Sequence, residues 1–481
     1  MPNKIYITTT LPYVNADPHI GHALEFIQAD VIARFRKLIG EEVFFNTGTD
    51  EHGQKIFQKA QKEGIDTQEY VDKYAGRFQD ALAQLGVTEN HNFIRTTDSN
   101  HKKAAQEFWR KCKENGYIEK RQQKIKYCVG CELEKTDSEL EDGACVFHPN
   151  LEIEIREEEN YFFLLSRFQD KLTNFYDKNP NFVTPVGRYN EAKSFVKSGL
   201  QDFSISRLKE KMSWGVPVPD DEDHVMYVWF DALVNYVSAI GWPDDTEKFE
   251  KWWPVTQFAG KDNVRQQAVM WQAMLMSVGI EPSKNILIHG FINIGAKKIS
   301  KSLGNVVDPL ELVKEHGKDS LRYYLTREVA TFEDSDFTME RFKDVYNANL
   351  ANGLGNLLSR IMKMVTTHEI ELDIASVKKE KIDDSGLYSV YYDALYNFKI
   401  GEAADEIWRL IGQCDKVIQE DEPFKLIKAD PEKAKKILKY LGEELYRISR
   451  MLEPFLPETA SKIQESIEEN KMPEALFKRI D

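Results

Sequence analysis

Apolar residues in the first quarter of the chain recur at two alternating periods. Ile5-Tyr6-Ile7-Thr8-Thr9-Thr10 reads as a strand. Ala23, Phe26, Ile27, Val31, Ile32 and Phe35 follow at helical spacing, and Glu42-Val43-Phe44-Phe45-Asn46-Thr47 reads as a second strand before helices through Phe57 and Phe78. This β-α-β rhythm over residues 1–118 predicts a parallel sheet with ligands bound at the carboxyl ends of its strands. From 119 to 225 the rhythm breaks into short strand-like runs, turn residues and a cysteine cluster, ending in Trp214-Gly215-Val216-Pro217-Val218-Pro219, and the segment reads as an insertion. The α/β pattern resumes at Tyr227-Val228-Trp229-Phe230 and runs through Phe258-Ala259-Gly260-Lys261-Asp262 and Asn285-Ile286-Leu287-Ile288-His289-Gly290 to about residue 340. Beyond that point Ile400, Ala404, Ile407, Ile411, Cys414 and Ile418, then Ile437, Leu441, Leu445, Ile448 and Leu452, keep helical spacing. The expected fold is α/β: a doubly wound parallel, Rossmann-like body in two halves (1–118 and 226–340), an insertion (119–225) and a C-terminal α-helical bundle (341–481).

Composition narrows this picture. The chain has 481 residues, too many for one ordinary core, with 42% hydrophobic and 30% charged residues, as in soluble globular proteins. No apolar run approaches the roughly 18 residues of a membrane span, and Met1-Pro2-Asn3-Lys4 does not read as a signal or transit peptide, so a cytoplasmic location without a membrane partner is expected. The formal charge of -15 lowers the expectation of a nucleic-acid partner, since phosphate binding rests on Lys and Arg, but local basic surfaces are compatible with it. Lys425, Lys428, Lys433, Lys435, Lys436 and Lys439 supply one such surface; a solvated helix face accounts for the run equally well.

Two motifs carry chemistry. Pro18-His19-Ile20-Gly21-His22 opens the first helix, placing two imidazoles on one face of its first turn. Free amide donors and the positive end of the helix dipole favour a phosphate there, and Gly21 leaves room for a nucleotide. Far along the chain, Gly295-Ala296-Lys297-Lys298-Ile299-Ser300-Lys301-Ser302-Leu303-Gly304 is a polar, glycine-bounded loop whose Lys298 and Lys301 offer compact charges to a departing pyrophosphate. His19, His22, Lys298 and Lys301 are the expected catalytic groups. A third feature is metal-like: Cys128-x2-Cys131 and Cys145-x2-His148 form two tight pairs, which fit one tetrahedral zinc ion. With four protein ligands such an ion is structural, and only five cysteines in the whole chain argue against a disulfide framework.

The His19–His22 and Lys298–Ser302 segments resemble the HIGH and KMSKS signatures of class I aminoacyl-tRNA synthetases, with Ile299 in place of the usual Met. The class leaves Met, Leu, Ile, Val and Cys as principal amino acids. Enzymes for Leu, Ile and Val carry a large editing insertion, because a methylene is worth only about 1–3 kcal/mol of discrimination, and residues 119–225 are largely taken up by the zinc module and its neck. Cysteinyl enzymes hold zinc in the catalytic pocket. Leu11-Pro12-Tyr13-Val14-Asn15, Gly48-Thr49-Asp50-Glu51-His52-Gly53, Asn160-Tyr161-Phe162-Phe163 and Val228-Trp229-Phe230-Asp231-Ala232-Leu233-Val234-Asn235-Tyr236 resemble the methionyl-tRNA synthetase family, and the zinc pairs resemble its single-knuckle insertion.

The resemblance implies ATP-dependent activation of L-methionine, with Mg2+, and transfer to tRNA(Met). Tyr13, Trp229, Ala232, Leu233 and Tyr236 would line the side-chain pocket, Asp50 and the Leu11 backbone would hold the α-ammonium, and Gly21, Gly260, Asp262, Lys298 and Lys301 would contact ATP. Gln267 stands where many relatives have a His beside the thioether. Asn349, Arg360 and Phe424 are the implied anticodon contacts, Phe424 replacing a usual Trp. A monomer is expected, since no appended oligonucleotide-binding barrel follows the bundle. The rival readings are a class I ligase for another amino acid and a non-catalytic tRNA-binding paralogue.

Overall fold

The computed structural model describes residues 3–128, 133–135, 140–141, 143–145, 152–294, 297–298 and 307–480. Its centre is a six-stranded parallel sheet of β1 (Lys4–Thr8), β2 (Glu42–Thr49), β3 (Asn92–Arg95), β4 (Val183–Thr184), β5 (Val255–Gly260) and β6 (Asn285–His289), in the order β3-β2-β1-β5-β6-β4. Strand β1 is flanked by β2 and β5, one from each half, with Ile7 opposite both Phe45 and Thr256. The order reverses between β1 and β5, and in open α/β sheets that reversal opens a crevice beyond the carboxyl ends of the strands.

Edge strand β4 lies at 183–184, inside the segment read from sequence as a separate insertion, and its neighbours Gln169–Lys178 and Val186–Lys197 are helices. The excursion from the sheet is the long antiparallel pair Ile118–Cys128 and Ile153–Phe163. A strand as short as β4 has too little pattern of its own to be recognised; pairing with Ile286 and Leu287 defines it.

The first helix, α1 (Ile20–Leu38), buries the six apolar positions expected of it and also Glu25, Gln28 and Asp30, Glu25 against Thr10 and His289 at the strand ends. Asp30 meets fully buried Arg322 at 2.7 Å. The same guanidinium donates to the carbonyls of Pro454 and Phe455 at 2.9 and 2.7 Å, joining α1 to the end of the long helix Pro431–Leu452. Removing one member of such a buried pair costs about 3–5 kcal/mol, because the other charge is left buried and unpaired. From Met339 onward the described elements are all helical, and the predicted apolar positions are buried except Ile437, which is half-buried. Of the lysine run, Lys425, Lys435 and Lys439 each pair with an acid three or four residues away, as on a solvated helix face.

Candidate active site

A cavity of about 600 Å3 opens at the reversal point of the sheet. Its wall is built from the ends of four strands: Thr10 to Tyr13 after β1, Asp50 after β2, Gly260 and Asp262 at β5, and His289 to Ile292 at β6. Helix α1 contributes His19, Gly21, His22 and Glu25, and the short helices after Tyr227 contribute Trp229, Ala232, Leu233 and Tyr236. Tertiary structure therefore brings together the expected His19–His22 motif, Gly21, Gly260 and Asp262 of the expected ATP contacts, and every expected side-chain-pocket residue, Gln267 included.

The helix-start end of the cavity differs from expectation in one respect. The first-turn amide of Gly21 is not free: it donates to His19 Nδ1 at 3.1 Å, while the His19 amide donates to His22 Nδ1 at 3.2 Å, and His19 serves as the N-cap. Each Nδ1 is thus an acceptor, so each neutral ring carries its proton on Nε2. The rings stack with centroids 3.7 Å apart. Donors that would have been backbone amides are relayed outward through two imidazoles. A Cβ on Gly21 would come within 3.0 Å of His19 Cε1, so the glycine protects the seating of that ring.

Glu25 and Asp50 stand in the cavity wall, with Glu51 and Asp231 next in sequence to wall residues Asp50 and Ala232, and the partners of these four acids distinguish them. Glu25 accepts from the Thr10 amide and hydroxyl at 2.5 and 2.6 Å and meets His289 Nε2 at 2.9 Å. Glu51 is held by Arg95 through a fork of 2.6 and 2.9 Å. Fully buried Asp231 is clamped by His52 Nδ1 at 3.0 Å and His101 Nε2 at 3.3 Å; burial pushes its pKa up, but the imidazoles outweigh that and hold it below the usual range. Asp50 alone of the four keeps a buried oxygen, Oδ1, with no hydrogen-bond partner. Burial, then the charges of Asp231 and Glu51, push its pKa well up. Its backbone is rigidly placed, donating to Pro12 O at 2.9 Å and accepting from the Val14 amide at 3.1 Å. An unpaired buried carboxylate oxygen is costly, and a ligand ammonium would satisfy it.

Beside Asp50, Tyr13 is pushed up in pKa by burial and by the Asp50 charge, and its hydroxyl lies where a Cβ on Gly53 would stand only 2.7 Å away. Gly53 has φ +112°, a conformation that glycine adopts without strain. Trp229 is half-buried, whereas Ala232, Leu233 and Tyr236 are buried. The segment that carries Trp229 is helical from Val228 to Leu233, preceded by the strand His224–Met226.

The other expected residues belong to other segments of the chain. Lys298 sits in a two-residue strand, Lys297–Lys298, that pairs antiparallel with Ile292–Ile294, so the segment read as loop begins as a hairpin; Lys301 lies outside the described residues. Cys131 and His148 also lie outside them, while Cys128 ends the long strand Ile118–Cys128 and Cys145 the two-residue strand Ala144–Cys145. Among the described residues, no three His, Cys, Asp or Glu side chains gather as a metal site. Asn349 lies in the wide π turns of Tyr346–Gly355, Arg360 pairs with Asp415 at 2.9 Å, and Phe424 is 49% exposed; none lines the cavity. Sequence reading gave no role to Glu25, His289, His101 or Asp231. His52 and Asp231 stand in quoted motifs, but their pairing across 179 positions leaves no local periodic signal.

Stacked imidazoles at a helix start and an acid with one unpartnered oxygen, lining one cavity at the switch point of a doubly wound sheet, belong to a class of nucleotide-activating enzymes. The family model described as "tRNA synthetases class I (M)" matches residues 5–146 and 128–362. A methionine–tRNA ligase of Thermotoga maritima is 41% identical over 96% of this chain and 74% of its own length, and one of Rickettsia typhi is 40% identical over 100% of this chain and 96% of its own. The Mycobacterium tuberculosis methionyl-tRNA synthetase in complex with methionyl-adenylate superposes with a TM-score of 0.87 at 37% identity, covering 96% of this chain and 93% of that one. The chain belongs to the methionine–tRNA ligase family, ATP-dependent enzymes that join methionine to tRNA. Among its described helices none is long and apolar enough to cross a membrane.

Proposed function

We propose that the cavity residues divide the two steps of methionine activation and transfer between them. Asp50 and the Leu11 carbonyl receive the α-ammonium, and Tyr13, Trp229, Ala232, Leu233, Tyr236 and Gln267 enclose the thioether, whose polarizable sulfur favours aromatic neighbours. The methionine carboxylate attacks the α-phosphorus of ATP, forming the acyl-phosphate bond as the bond to pyrophosphate breaks. His19 and His22 hold phosphate oxygens through Nε2–H, Lys298 and Lys301 receive the pyrophosphate charge, and Gly260 and Asp262 contact the ribose. Mg2+ bound with ATP supplies further neutralisation of the phosphate oxygens. The terminal ribose hydroxyl of tRNA(Met) then takes the acyl group and AMP leaves. No protein nucleophile is needed.

The observation that carries this reading is the unpartnered buried oxygen of Asp50, set in an aromatic pocket with the stacked imidazoles in the same cavity. Methionine-dependent exchange of pyrophosphate into ATP tests it: exchange with methionine and not with leucine or cysteine is expected, and exchange with another amino acid alone would overturn it.

Three finer parts of the proposal follow the family. Asn349, Arg360 and Phe424 contact the anticodon, where stacking on the exposed Phe424 ring is worth about 1–3 kcal/mol. Cys128, Cys131, Cys145 and His148 hold one structural zinc, a donor set of three thiolates and an imidazole that suits this ion. The protein acts as a cytoplasmic monomer. Chelation of zinc is expected to raise hydrogen exchange across residues 119–160 before ATP binding changes; simultaneous loss of both would remove the purely structural role.

A further inference from the structure

Gln267 reaches the cavity wall through an amide, and an amide can present either a donor or an acceptor edge. Behind it lies a chain of buried groups, Gln257, Gln272 and Ser283, none of which lines the cavity; they are 0%, 0% and 4% exposed. The polarity of that chain follows from its far end, starting at a group whose role is not adjustable. The Ser283 backbone N–H donates to Gln272 Oε1 at 2.9 Å. Gln272 Nε2 therefore faces the other way, donating to the Gln267 carbonyl at 2.8 Å and to Ser283 Oγ at 3.2 Å. The Ser283 hydroxyl, already an acceptor, sends its own hydrogen to Gln257 at 2.6 Å, a length typical of O–H···O and short for N–H···O. Gln257 thus turns Oε1 toward Ser283 and Nε2 toward Gln267, where it donates to Oε1 at 2.8 Å. Reversing any link would leave a buried hydroxyl hydrogen or amide without a partner.

We infer that Ser283 and Gln257 are specificity-determining positioning residues: through this relay they occupy the oxygen of Gln267 and turn its N–H edge to the amino-acid side chain. A donor edge favours a side chain with lone pairs at that depth, a thioether sulfur, over a methylene of the same shape. Repulsion would result from the opposite edge. The inference rests on the methionine reading of the pocket and adds a source of discrimination outside it.

The experiment compares pyrophosphate exchange with methionine and with norleucine, which replaces the sulfur by a methylene. Loosening of the pocket alone changes kcat/KM for both equally, so the ratio isolates polarity. Ser283→Ala and Gln257→Leu are each expected to lower the methionine-to-norleucine ratio about two- to tenfold, the worth of one modest hydrogen bond, with Ser283→Thr restoring it and Gln267→Leu setting the floor. A ratio unchanged in Ser283→Ala and Gln257→Leu, or a parallel loss for both amino acids, overturns the relay. Absence of methionine-dependent exchange in the parent protein instead overturns the functional reading on which it rests.

Discussion

Replacing Asp50 by Asn separates binding from stability in opposite directions. The side chain keeps its shape and loses its charge. In the parent protein the backbone on either side is fixed by bonds of 2.9 and 3.1 Å, so the carboxylate cannot swing away to find another partner, and its buried Oδ1 has none. Binding of methionine supplies an ammonium; in the variant that ammonium is buried without its counter-charge. Truncating one partner of a buried, hydrogen-bonded charge pair costs about 2–5 kcal/mol, or roughly thirty-fold to a few thousand-fold in methionine KM, at about 1.4 kcal/mol per decade. KM for ATP should change little, because the imidazoles and the ribose contacts are intact. The empty protein should gain stability wherever the parent carboxyl is ionised, by about 1–3 kcal/mol, because an ionised carboxylate oxygen no longer lies unsatisfied. The sign with pH follows from the raised pKa of Asp50, which burial and then the Asp231 and Glu51 charges produce. The folded protein holds this proton more tightly than the unfolded chain, so the parent loses stability as pH rises from the ordinary carboxyl value of about 3.9 through the raised one. The advantage of the Asn variant should therefore grow with pH across that window. Pyrophosphate exchange at varied methionine, together with thermal unfolding at a series of pH values, measures both. A methionine KM within about threefold of the parent, or a stability difference that does not shift in favour of the variant as pH rises, refutes the assignment.

Three other expectations concern the frame of the site. His19→Asn keeps a good helix cap and removes the Nε2–H donor, so adenylate formation should fall about 100- to 1,000-fold with little change in unfolding temperature; an unchanged exchange rate would take His19 out of the phosphate site. His289 is raised in pKa because the Glu25 carboxylate outweighs burial, so His289→Gln should destabilise most below pH of about 6.5 and progressively less as pH rises through the raised value, and a cost independent of pH in urea unfolding would contradict this. Gly290→Ala would place a Cβ 2.1 Å from the Glu333 carbonyl oxygen, and backbone must shift to admit it; a loss of about 2–3 kcal/mol in unfolding free energy is expected, and a neutral substitution would show that the approach is looser than it stands.

Local patterns carried much of this protein into view. The 3.6-residue period through Ala23, Phe26, Ile27, Val31, Ile32 and Phe35 marks a helix, because those side chains share one face, and all six are buried. His19 and His22 share a helix start, so their proximity is inherent in their spacing. Pairings across long stretches of chain were invisible for the converse reason. Glu25 and His289 are 264 positions apart, and Arg322 is joined to Pro454 across 132; nothing in a neighbouring residue reports such contacts. Strand β4 shows the same limit at small scale, since two residues cannot display a period.

By itself the sequence determined the kinds of element, the order of α/β body, excursion and bundle, and the chemical equipment: two imidazoles at a helix start, paired cysteines, and aromatic residues near Tyr13 and Trp229. The tertiary structure decided which groups were available to act. It spent the Gly21 amide on His19, neutralised Glu51 with Arg95 and Asp231 with two imidazoles, and left Asp50 with an unpaired oxygen at the cavity. Residue type sets what a side chain is able to donate or accept; only the folded surroundings settle which of those capacities is already satisfied, and in a site shielded from water the unsatisfied one is where a ligand is bound.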